Sequence, residues 1–203
     1  MVLVVTAPAR ARYADLIADM HRHRKQVFVD RFGWELPVTE DGLEVDQFDT
    51  EAAVYLLAVG PDRRLIGSLR LLPSTGPHLL GDIFPRLCDT GVPRSEGVWE
   101  VSRFCTDPAL KDPRLARKLL LVALVEFALL HEVFRFTCVT HLLGLQQLIG
   151  IGWDARPLGP PQADGDETIG ALAIDITPET LRLLRRQAGF SGPVLQWEVR
   201  DAA

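Results

Sequence analysis

The segment Val98–Asp107, VWEVSRFCTD, constrains the fold of this chain more than any other. Its β-branched and aromatic residues are typical of a buried strand. Glu100 and Arg103 interrupt this apolar strand, and an unpaired buried charge costs several kcal/mol, so both must pair with other charges or line a pocket. Counter-charges are available in an acidic run from Glu40 to Glu51 and a basic run from His21 to Lys25. We therefore expect the three segments to converge on one polar pocket for a small zwitterionic substrate.

The hydrophobic pattern predicts helices and strands that alternate along the chain. Apolar residues at helical spacing indicate amphipathic helices, and short apolar runs bounded by turn residues indicate strands. The predicted helices are about Ala9–Phe32, a short one around Leu80–Leu87, Arg114–His131, Leu142–Gly150 and Thr177–Ala188. The predicted strands are Ala52–Val59, Leu65–Leu72, Val98–Thr106, Arg135–Thr140, Trp153–Pro157 and Thr168–Ile176, with a surface loop at Pro157–Gly165. This order predicts a single α/β domain over residues 1–203, with a mixed sheet and helices on its faces.

Charge and composition exclude several classes of protein. The net charge of -5 argues against a nucleic-acid-binding domain, which is normally basic. The apolar run Leu119–Leu130 is too short to span a bilayer, and the N-terminus has no cationic start before an apolar core. The three cysteines and five histidines show no usable metal-ligand or redox spacing. We therefore expect a cytoplasmic protein without a metal ion, a nucleic-acid partner or a membrane partner.

The loop that follows the central strand bears on cofactor binding. A strand that leads through a loop into a helix resembles the cofactor-binding core of the N-acetyltransferase superfamily. In that superfamily the loop is glycine-rich, because backbone N–H groups must approach the pyrophosphate of coenzyme A closely. Here the loop Thr106–Arg114 has no glycine and two prolines, which argues against a pyrophosphate cradle. The positive charge in this region comes instead from four side chains: Lys111, Arg114, Arg117 and Lys118. These side chains suit a phosphate or an acidic protein surface. A role in keeping the helix surface soluble explains them equally well.

A set of widely spaced residues is similar to the pattern of the acyl-homoserine-lactone synthases, the autoinducer synthases of bacterial quorum sensing. The shared positions are Arg24, Phe28, Trp34, Asp46, Asp49, Arg70, Phe84, Glu100 and Arg103. The surrounding segments HRHRKQVFVDRFGWEL and EVSRFC match as well, and a looser match continues through CVTHLLGLQQLIGIGW and PLGPP. Gln146 departs from the pattern, because relatives often have glutamate there, and this leaves the role of its helix open.

The resemblance implies both a fold and a reaction. The fold is a three-layer α-β-α arrangement of the N-acetyltransferase type with a mixed central sheet. In the reaction, S-adenosylmethionine is N-acylated by a fatty acyl thioester, usually on acyl carrier protein and possibly on coenzyme A. The product then lactonises and releases methylthioadenosine. S-adenosylmethionine is a substrate here, so no further cofactor is expected.

The chemistry of S-adenosylmethionine agrees with the matched residues. Its amino-acid end carries a carboxylate and an amine, so its site needs an arginine and an acid. Arg24 and Arg103 fit the first requirement, and Asp46 fits the second. Aromatic rings are expected to cover the adenine or the sulfonium, where a cation over a ring gains about 0.5 to 2 kcal/mol; the candidates are Phe28, Trp34 and Phe104. Structural support is expected from the pair Asp49 and Arg70, and from Phe84.

Glu100 is the candidate general base for the first step, acting directly or through a water. The amine must lose a proton before it attacks the thioester, and burial raises the pKa of a carboxyl group toward neutral pH. A purely electrostatic role for Glu100 is the alternative. Backbone N–H groups near Ser102 and Arg103 are candidates for stabilising the oxyanion.

The acyl donor needs an apolar slot and a docking surface. The slot is expected among residues that follow the central strand: Leu121, Leu124, Val139, Thr140, Leu143 and Trp153. The resemblance associates a threonine at position 140 with 3-oxo acyl chains. The basic cluster Lys111, Arg114, Arg117 and Lys118 is compatible with the acidic carrier protein. Two other functions stay open: an N-acetyltransferase that uses acetyl-coenzyme A, and a non-catalytic relative that binds S-adenosylmethionine or acyl thioesters.

Overall fold

The computed structural model describes residues 1–196, and its strands form one mixed sheet. The strands are β1 (Val2–Val5), β2 (Val54–Val59), β3 (Leu65–Pro73), β4 (Val98–Thr106), β5 (Arg135–His141), β6 (Asp154–Pro157), β7 (Gln162–Asp164), β8 (Glu167–Asp175) and β9 (Leu195–Gln196). Their spatial order is β6-β8-β5-β4-β3-β2-β1-β9, with β7 paired to β8. The predicted central strand therefore lies in the middle of the sheet, between β3 and β5.

Helices cover both faces of this sheet. They are α1 (Ala14–Arg24), α2 (Leu79–Asp82), α3 (Arg114–Leu130), α4 (Leu142–Gly150) and α5 (Pro178–Ala188). On one face, α3, α4 and α5 bury residues such as Phe127, Leu145 and Leu184 in the largest hydrophobic cluster. On the other face, α1 and α2 cover separate clusters around Met20 and Leu80. The predicted α-β-α arrangement with a mixed sheet is confirmed.

The predicted first helix is divided into three segments with different hydrogen bonding. A 3-10 segment, Ala7–Tyr13, leads into α1, and a π-helical segment, Lys25–Arg31, follows it. The backbone N–H of Phe32 accordingly bonds the carbonyl of Val27, five residues back, at 3.1 Å. A π turn adds a residue to the turn and rotates the side chains that follow, and such turns are often found at functional sites.

Strands β4 and β5 run parallel but pair over only part of their length. The paired residues are Val98–Glu100 of β4 and Arg135–Thr137 of β5. Beyond Glu100 and Thr137 the two strands have no ladder partners on the sides that face each other, although both continue for several residues. The sheet is therefore split at its centre, with Glu100 at the point where the strands separate.

A β-bulge follows directly in β4. Ser102 pairs with Arg70 and Cys105 with Ser68, so Arg103 and Phe104 together oppose Leu69. Arg103 has φ +52°, a left-handed conformation that is unfavourable for a residue with a side chain. The extra residue also shifts the alternation of side chains: Phe104 packs in the same core cluster as Val101, whereas a regular strand would place residues three apart on opposite faces.

The sequence-based assignment missed three short strands. The apolar run Val2–Val5 forms β1, which pairs with β2, and Leu195–Gln196 pairs in parallel with β1. Strand β7 lies inside the predicted surface loop Pro157–Gly165. In residues 1–196 no helix is long and apolar enough to cross a membrane, and no group of metal-binding side chains is assembled.

Candidate active site

Six buried charged side chains of the described residues form a closed ring of alternating sign. Its order is Arg24, Glu44, Arg103, Asp46, Arg70 and Asp49, which returns to Arg24. The Arg103 Nη2 atom lies 3.1 Å from Glu44 Oε1 and 2.8 Å from Asp46 Oδ2. The Arg70 Nη1 atom lies 2.5 Å from Asp46 Oδ1 and 2.9 Å from Asp49 Oδ1. Each charge therefore has two neighbours of opposite sign, and the formal charge of the ring is zero.

The ring joins segments that are far apart in the sequence. Arg24 is the last residue of α1, Arg70 lies in β3, and Arg103 lies in the bulge of β4. The three acids come from the irregular segment between the π-helical segment and β2. Two further contacts fix this segment: Tyr55 donates to Asp49 Oδ1 at 3.0 Å, and His21 Nδ1 lies 2.7 Å from the carbonyl oxygen of Glu44. The predicted convergence of the acidic run, the basic run and the central strand is thus what the structure shows.

Mutual pairing shifts the pKa values of two ring members, Asp49 and Arg24. Burial opposes the charged form of Asp49, but hydrogen bonds from Arg24 and attraction to Arg24 and Arg70 hold the pKa of this carboxyl well below its usual range. Burial likewise opposes the charged form of Arg24, yet Asp49 and Glu44 raise its pKa. These groups therefore stay ionised across the physiological range of pH.

The structure changes the role expected for Arg24. Its side chain was predicted to bind substrate, but the residue is 0% exposed. Its Nε atom donates to Glu44, and its Nη1 and Nη2 atoms donate to Asp49 at 2.8 and 2.9 Å. A guanidinium with all its nitrogens engaged inside the protein supports the fold of the site, and its predicted contact with substrate stays a prediction.

Sequence reasoning missed Glu44 as a member of the site. It lies in the acidic run, but the family pattern singled out only Asp46 and Asp49 as partners for Arg24, Arg70 and Arg103. Three buried arginines against two acids leave one positive charge uncompensated, which is too costly to be stable. This charge balance was the signal that points to a third acid in the same run.

An aromatic wall stands beside the ring. The rings of Phe28 and Trp34 stack with centroids 5.1 Å apart, and the Arg103 guanidinium lies 5.5 Å from the centroid of Phe28. Phe32 contacts Trp34 and reaches across to His141 at the end of β5, with centroids 6.3 Å apart. Phe104 does not join this wall, because it packs against the large core cluster on the α3 face. The predicted set Phe28, Trp34 and Phe104 is therefore only partly brought together.

Glu100 lies under the start of α2, at the split between β4 and β5. It is 1% exposed, and its carboxylate accepts the backbone N–H groups of Leu79 at 2.9 Å and Leu80 at 2.7 Å. Burial raises its pKa to about 7, against the opposing effect of these two donors and of Arg70 and Arg103. At neutral pH this carboxyl group therefore exists in both protonation states.

The neighbours of Glu100 include two other predicted residues. The Ser102 hydroxyl accepts a hydrogen bond from Arg70 Nε at 3.0 Å, so it is tied to the ring. Phe84 is half-buried in the cluster around Leu80, on the α2 side of the sheet. The expected pair of Asp49 and Arg70 is present as one edge of the ring.

The six residues predicted to line an acyl slot are not gathered in one cavity. Leu121, Leu124 and Trp153 pack in the core cluster on the α3 face, whereas Val139 packs in the cluster around Leu80 on the other face. The sheet therefore lies between these two groups of residues. The Thr140 hydroxyl lies against Gly144 of α4, where a side chain on the glycine would collide with it. Leu143 is 66% exposed.

A cleft of about 210 Å³ lies between the π-helical segment, the end of β4 and the start of α3. Its lining residues are Val27, Arg31, Phe32, Phe104, Cys105, Thr106, Asp107, Pro108, Leu110, Pro113 and Arg117. Of the predicted basic cluster, Arg117 lines this cleft and Lys111 and Lys118 are exposed nearby in the sequence. The guanidinium of Arg114 is engaged by Asp112, with Nη2 and Oδ2 2.8 Å apart.

The family model described as "Autoinducer synthase" matches residues 9–184 of the chain. The chain belongs to the autoinducer synthase family. It is therefore an acyltransferase of the acyl-homoserine-lactone synthase class, as the sequence pattern predicts.

Relatives with known names or structures agree with this assignment. An acyl-homoserine-lactone synthase of Ralstonia nicotianae is 35% identical over 188 residues, covering 88% of this chain and 92% of that protein. The structure of BjaI, a CoA-dependent acyl-homoserine lactone synthase with SAM and isopentyl-CoA, superposes with a TM-score of 0.90 at 31% identity, covering 98% and 93% of the two chains. A putative N-acetyltransferase from Lactobacillus plantarum shares the fold, with a TM-score of 0.59 and 21% identity over 87% of this chain and 99% of that chain.

We expect Asp49→Asn to lower the free energy of unfolding of this autoinducer synthase by about 3 kcal/mol near neutral pH, because it removes one of the two buried counter-charges of both Arg24 and Arg70 and leaves the ring with a net positive charge. A carboxyl group with a depressed pKa stabilises the fold above the pKa of the unfolded chain, near 3.8, and this contribution is lost as pH falls. The difference from the native enzyme should therefore shrink below about pH 4. Urea denaturation at several pH values measures it, with the exposed Asp41→Asn of the same segment as control. Equal stability of the two variants at pH 7 would contradict the role of the ring.

Proposed function

We propose that the enzyme joins S-adenosylmethionine to a short acyl-coenzyme A thioester, by N-acylation and then lactonisation with release of methylthioadenosine. The observation that carries this proposal is Glu100, a buried carboxyl group of pKa about 7 at the point where β4 and β5 separate. The split supplies a place for the thioester, and Glu100 supplies a proton acceptor at its closed end.

The divergent strands offer a backbone surface for the donor. Beyond Glu100, the side of β4 that faces β5 has no strand partner in the described chain. The pantetheine arm of an acyl donor carries two amide groups in an extended chain, and such a chain can add to an exposed strand by backbone hydrogen bonds. In this arrangement the thioester carbonyl lies close to the closed end of the split.

S-adenosylmethionine is assigned to the aromatic wall and the adjoining edge of the ring. The side chains of Arg103 and Asp46, which meet at 2.8 Å, offer one charge of each sign to the carboxylate and the amine. The stacked pair Phe28 and Trp34 offers a face for the sulfonium or the adenine, worth about 0.5 to 2 kcal/mol for a cation. Because the ring is neutral overall, it suits a zwitterionic group better than a simple anion.

In the first step, Glu100 accepts a proton from the substrate ammonium. Both of its oxygens hold backbone N–H groups and it is almost fully buried, so the proton transfer runs through a water. The free amine then attacks the thioester carbonyl, the C–S bond breaks, and the donor leaves as a thiol after its thiolate takes the second proton that the nitrogen loses. The bulge at Arg103 and Phe104, next to Ser102, takes backbone N–H groups out of the regular ladder, and the N–H groups near Ser102 and Arg103 are assigned to the oxyanion.

The second step needs no protein acid. A carboxylate oxygen of the acylated substrate attacks the carbon next to the sulfonium, and neutral methylthioadenosine leaves with the bonding electrons. The protein contributes by folding the substrate so that oxygen, carbon and sulfur are aligned. The aromatic wall excludes water from the same site.

Two observations favour a short donor on coenzyme A over a long one on carrier protein. The fold is very similar to that of BjaI, whose structure contains isopentyl-CoA. Leu124 and Trp153 are also packed into the core, so a long acyl chain would have to separate them. Carrier protein is the alternative, with Lys111 and Lys118 as its docking residues. We place the reaction in the cytoplasm, which agrees with three cysteines that form no disulfide.

Expression of the chain in a bacterial host should yield N-acyl-homoserine lactones, identified by mass spectrometry of the culture extract. Glu100→Gln should lower the yield at least tenfold, because general-base catalysis contributes about 10²–10⁴ to a rate. Glu96→Gln is the matched control, since this glutamate is exposed four residues away on the chain. Acylated amines without lactone would point instead to an N-acetyltransferase, and purified enzyme with no turnover of any thioester would favour a non-catalytic relative.

The pH dependence of the acylation rate should report the ionisation of Glu100. With a pKa of about 7, kcat/KM should rise with pH below 7 and level off above it, because only the ionised carboxylate accepts a proton. The rise of kcat/KM with pH below 7 should be absent in the Glu100→Gln variant. A wild-type solvent deuterium isotope effect that the variant lacks would assign Glu100 as the base; equal effects in both would favour the purely electrostatic role.

Donor preference can be measured directly with isovaleryl-coenzyme A and the same acyl group on carrier protein. We expect kcat/KM to favour coenzyme A, and a Lys111→Glu, Lys118→Glu variant to keep its KM for S-adenosylmethionine. If the carrier-protein donor is preferred, and the charge reversal raises KM for that donor alone, carrier protein is the partner.

A further inference from the structure

The first turn of α3 already carries an anion from its own chain. Asp112 Oδ1 accepts the backbone N–H of Arg114 at 3.0 Å, and the same carboxylate is held by the Arg114 guanidinium at 2.8 and 2.9 Å. An incoming phosphate at this helix start would meet the negative charge of Asp112. A phosphate of the acyl donor must therefore be bound by other groups.

Two arginines at the neighbouring cleft are available for this purpose. Arg31, at the end of the π-helical segment, and Arg117, in the first turns of α3, both line the cleft of about 210 Å³. Within residues 1–196 neither guanidinium has a hydrogen bond or an ion pair. The guanidinium of Arg114, by contrast, is paired with Asp112. The π-helical segment and α3 therefore each contribute one unpaired arginine to the same cleft.

The acid in this cleft does not neutralise them. Asp107 lines the cleft, but its Oδ1 atom accepts the backbone N–H of Ala109 at 2.8 Å and lies 3.7 Å from His23 Nε2. Burial lowers the pKa of His23, with Asp107 opposing this effect. Asp107 is thus engaged by Ala109 and His23, and within residues 1–196 it forms no ion pair with Arg31 or Arg117.

The rest of the cleft suits a ligand with one charged end. Its walls include the apolar side chains of Val27, Phe32, Phe104 and Leu110, and it follows the end of β4. Phosphopantetheine has this character: a phosphate at one end and an amide arm with a branched hydrocarbon segment behind it. A free nucleotide base or an acidic peptide has no such apolar arm.

We propose that Arg31 and Arg117 bind the phosphate of the donor's phosphopantetheine arm, in place of a backbone cradle at the start of α3. The inference rests on the proposed function, since it assigns one end of the same donor. The phosphate is common to coenzyme A and to carrier protein, so the site serves either source. Arginine suits this task because its planar fork of donors matches phosphate oxygens.

The test compares donors that share one acyl group and differ only in the phosphate. Acyl-phosphopantetheine should exceed acyl-pantetheine in kcat/KM by tenfold or more with the native enzyme. In Arg31→Gln, Arg117→Gln the ratio should fall to about one, while kcat/KM for acyl-pantetheine and KM for S-adenosylmethionine stay unchanged. Arg186→Gln, which removes an exposed cation of α5 outside the cleft, should keep the native ratio. The same variants assayed with acyl-coenzyme A and acyl-carrier protein show which source the site serves.

Either of two results would overturn the site: a native enzyme indifferent to the phosphate, or a double variant that keeps the preference. Turnover of acyl-pantetheine in those cases would leave the proposed function intact. If no thioester is turned over, the proposed function fails, and calorimetry with phosphopantetheine and pantetheine still decides the site. Tighter binding of phosphopantetheine to the native protein, lost in the double variant, supports it, and equal binding of the two compounds rejects it.

Discussion

Three guanidinium groups and three carboxylates close into a ring, and the position of every part of the site depends on it. Removing a single charge from water costs several kcal/mol, which one opposite neighbour repays only with good geometry and further hydrogen bonds. In the ring each member has two opposite neighbours, and Tyr55, Ser102 and backbone groups satisfy remaining atoms. The acidic segment has little regular structure of its own, so these contacts give it a defined position against α1, β3 and β4.

The ring also explains why an unfavourable backbone conformation is tolerated in the candidate site. Arg103 adopts φ +52°, which costs of order 1–3 kcal/mol, yet in this conformation its guanidinium reaches both Glu44 and Asp46. The same bulge moves Phe104 to the opposite face, into the core and the cleft. Because of one extra residue in β4, Arg103 lies on the face of the sheet that carries the ionic ring and Phe104 lies on the apolar face.

Most helices and strands were predictable from the sequence, because their hydrophobic periods are clear. The helix at Arg114 and the strands at Val98 and Arg135 begin where the pattern predicts. The π-helical segment, the bulge and the split between β4 and β5 were not predictable. The π-helical segment and the bulge each arise from one extra residue in a regular element, and the split arises from missing pairing between two strands. The types of the side chains do not predict such local changes in backbone hydrogen bonding.

The candidate site was also predictable only in part, because the sequence shows which residues are charged or apolar but not which of them meet in three dimensions. The charged residues were identified, but Arg24 was given a role in binding because its partners are 20 and 25 residues away and the pairing is visible only in three dimensions. The acyl residues were chosen for being apolar, a property shared by buried residues on both faces of the sheet, so Val139 and Trp153 fall on different sides. Arg31 was overlooked because an exposed arginine on a helix has no distinctive pattern.

The separation of β4 from β5 has a consequence for how such an enzyme can diversify. Each strand is held on its other edge, β4 by β3 and β5 by β8, so the position of neither strand depends on pairing across the gap. A donor recognised there through backbone groups would be accepted whatever acyl group it carries. Selectivity for the acyl group then depends on residues further inside, which can change in size without disturbing the charges that hold the site together. In this arrangement the groups that would recognise the carrier arm and the residues that would select the acyl group are different, so substitutions could change one without changing the other.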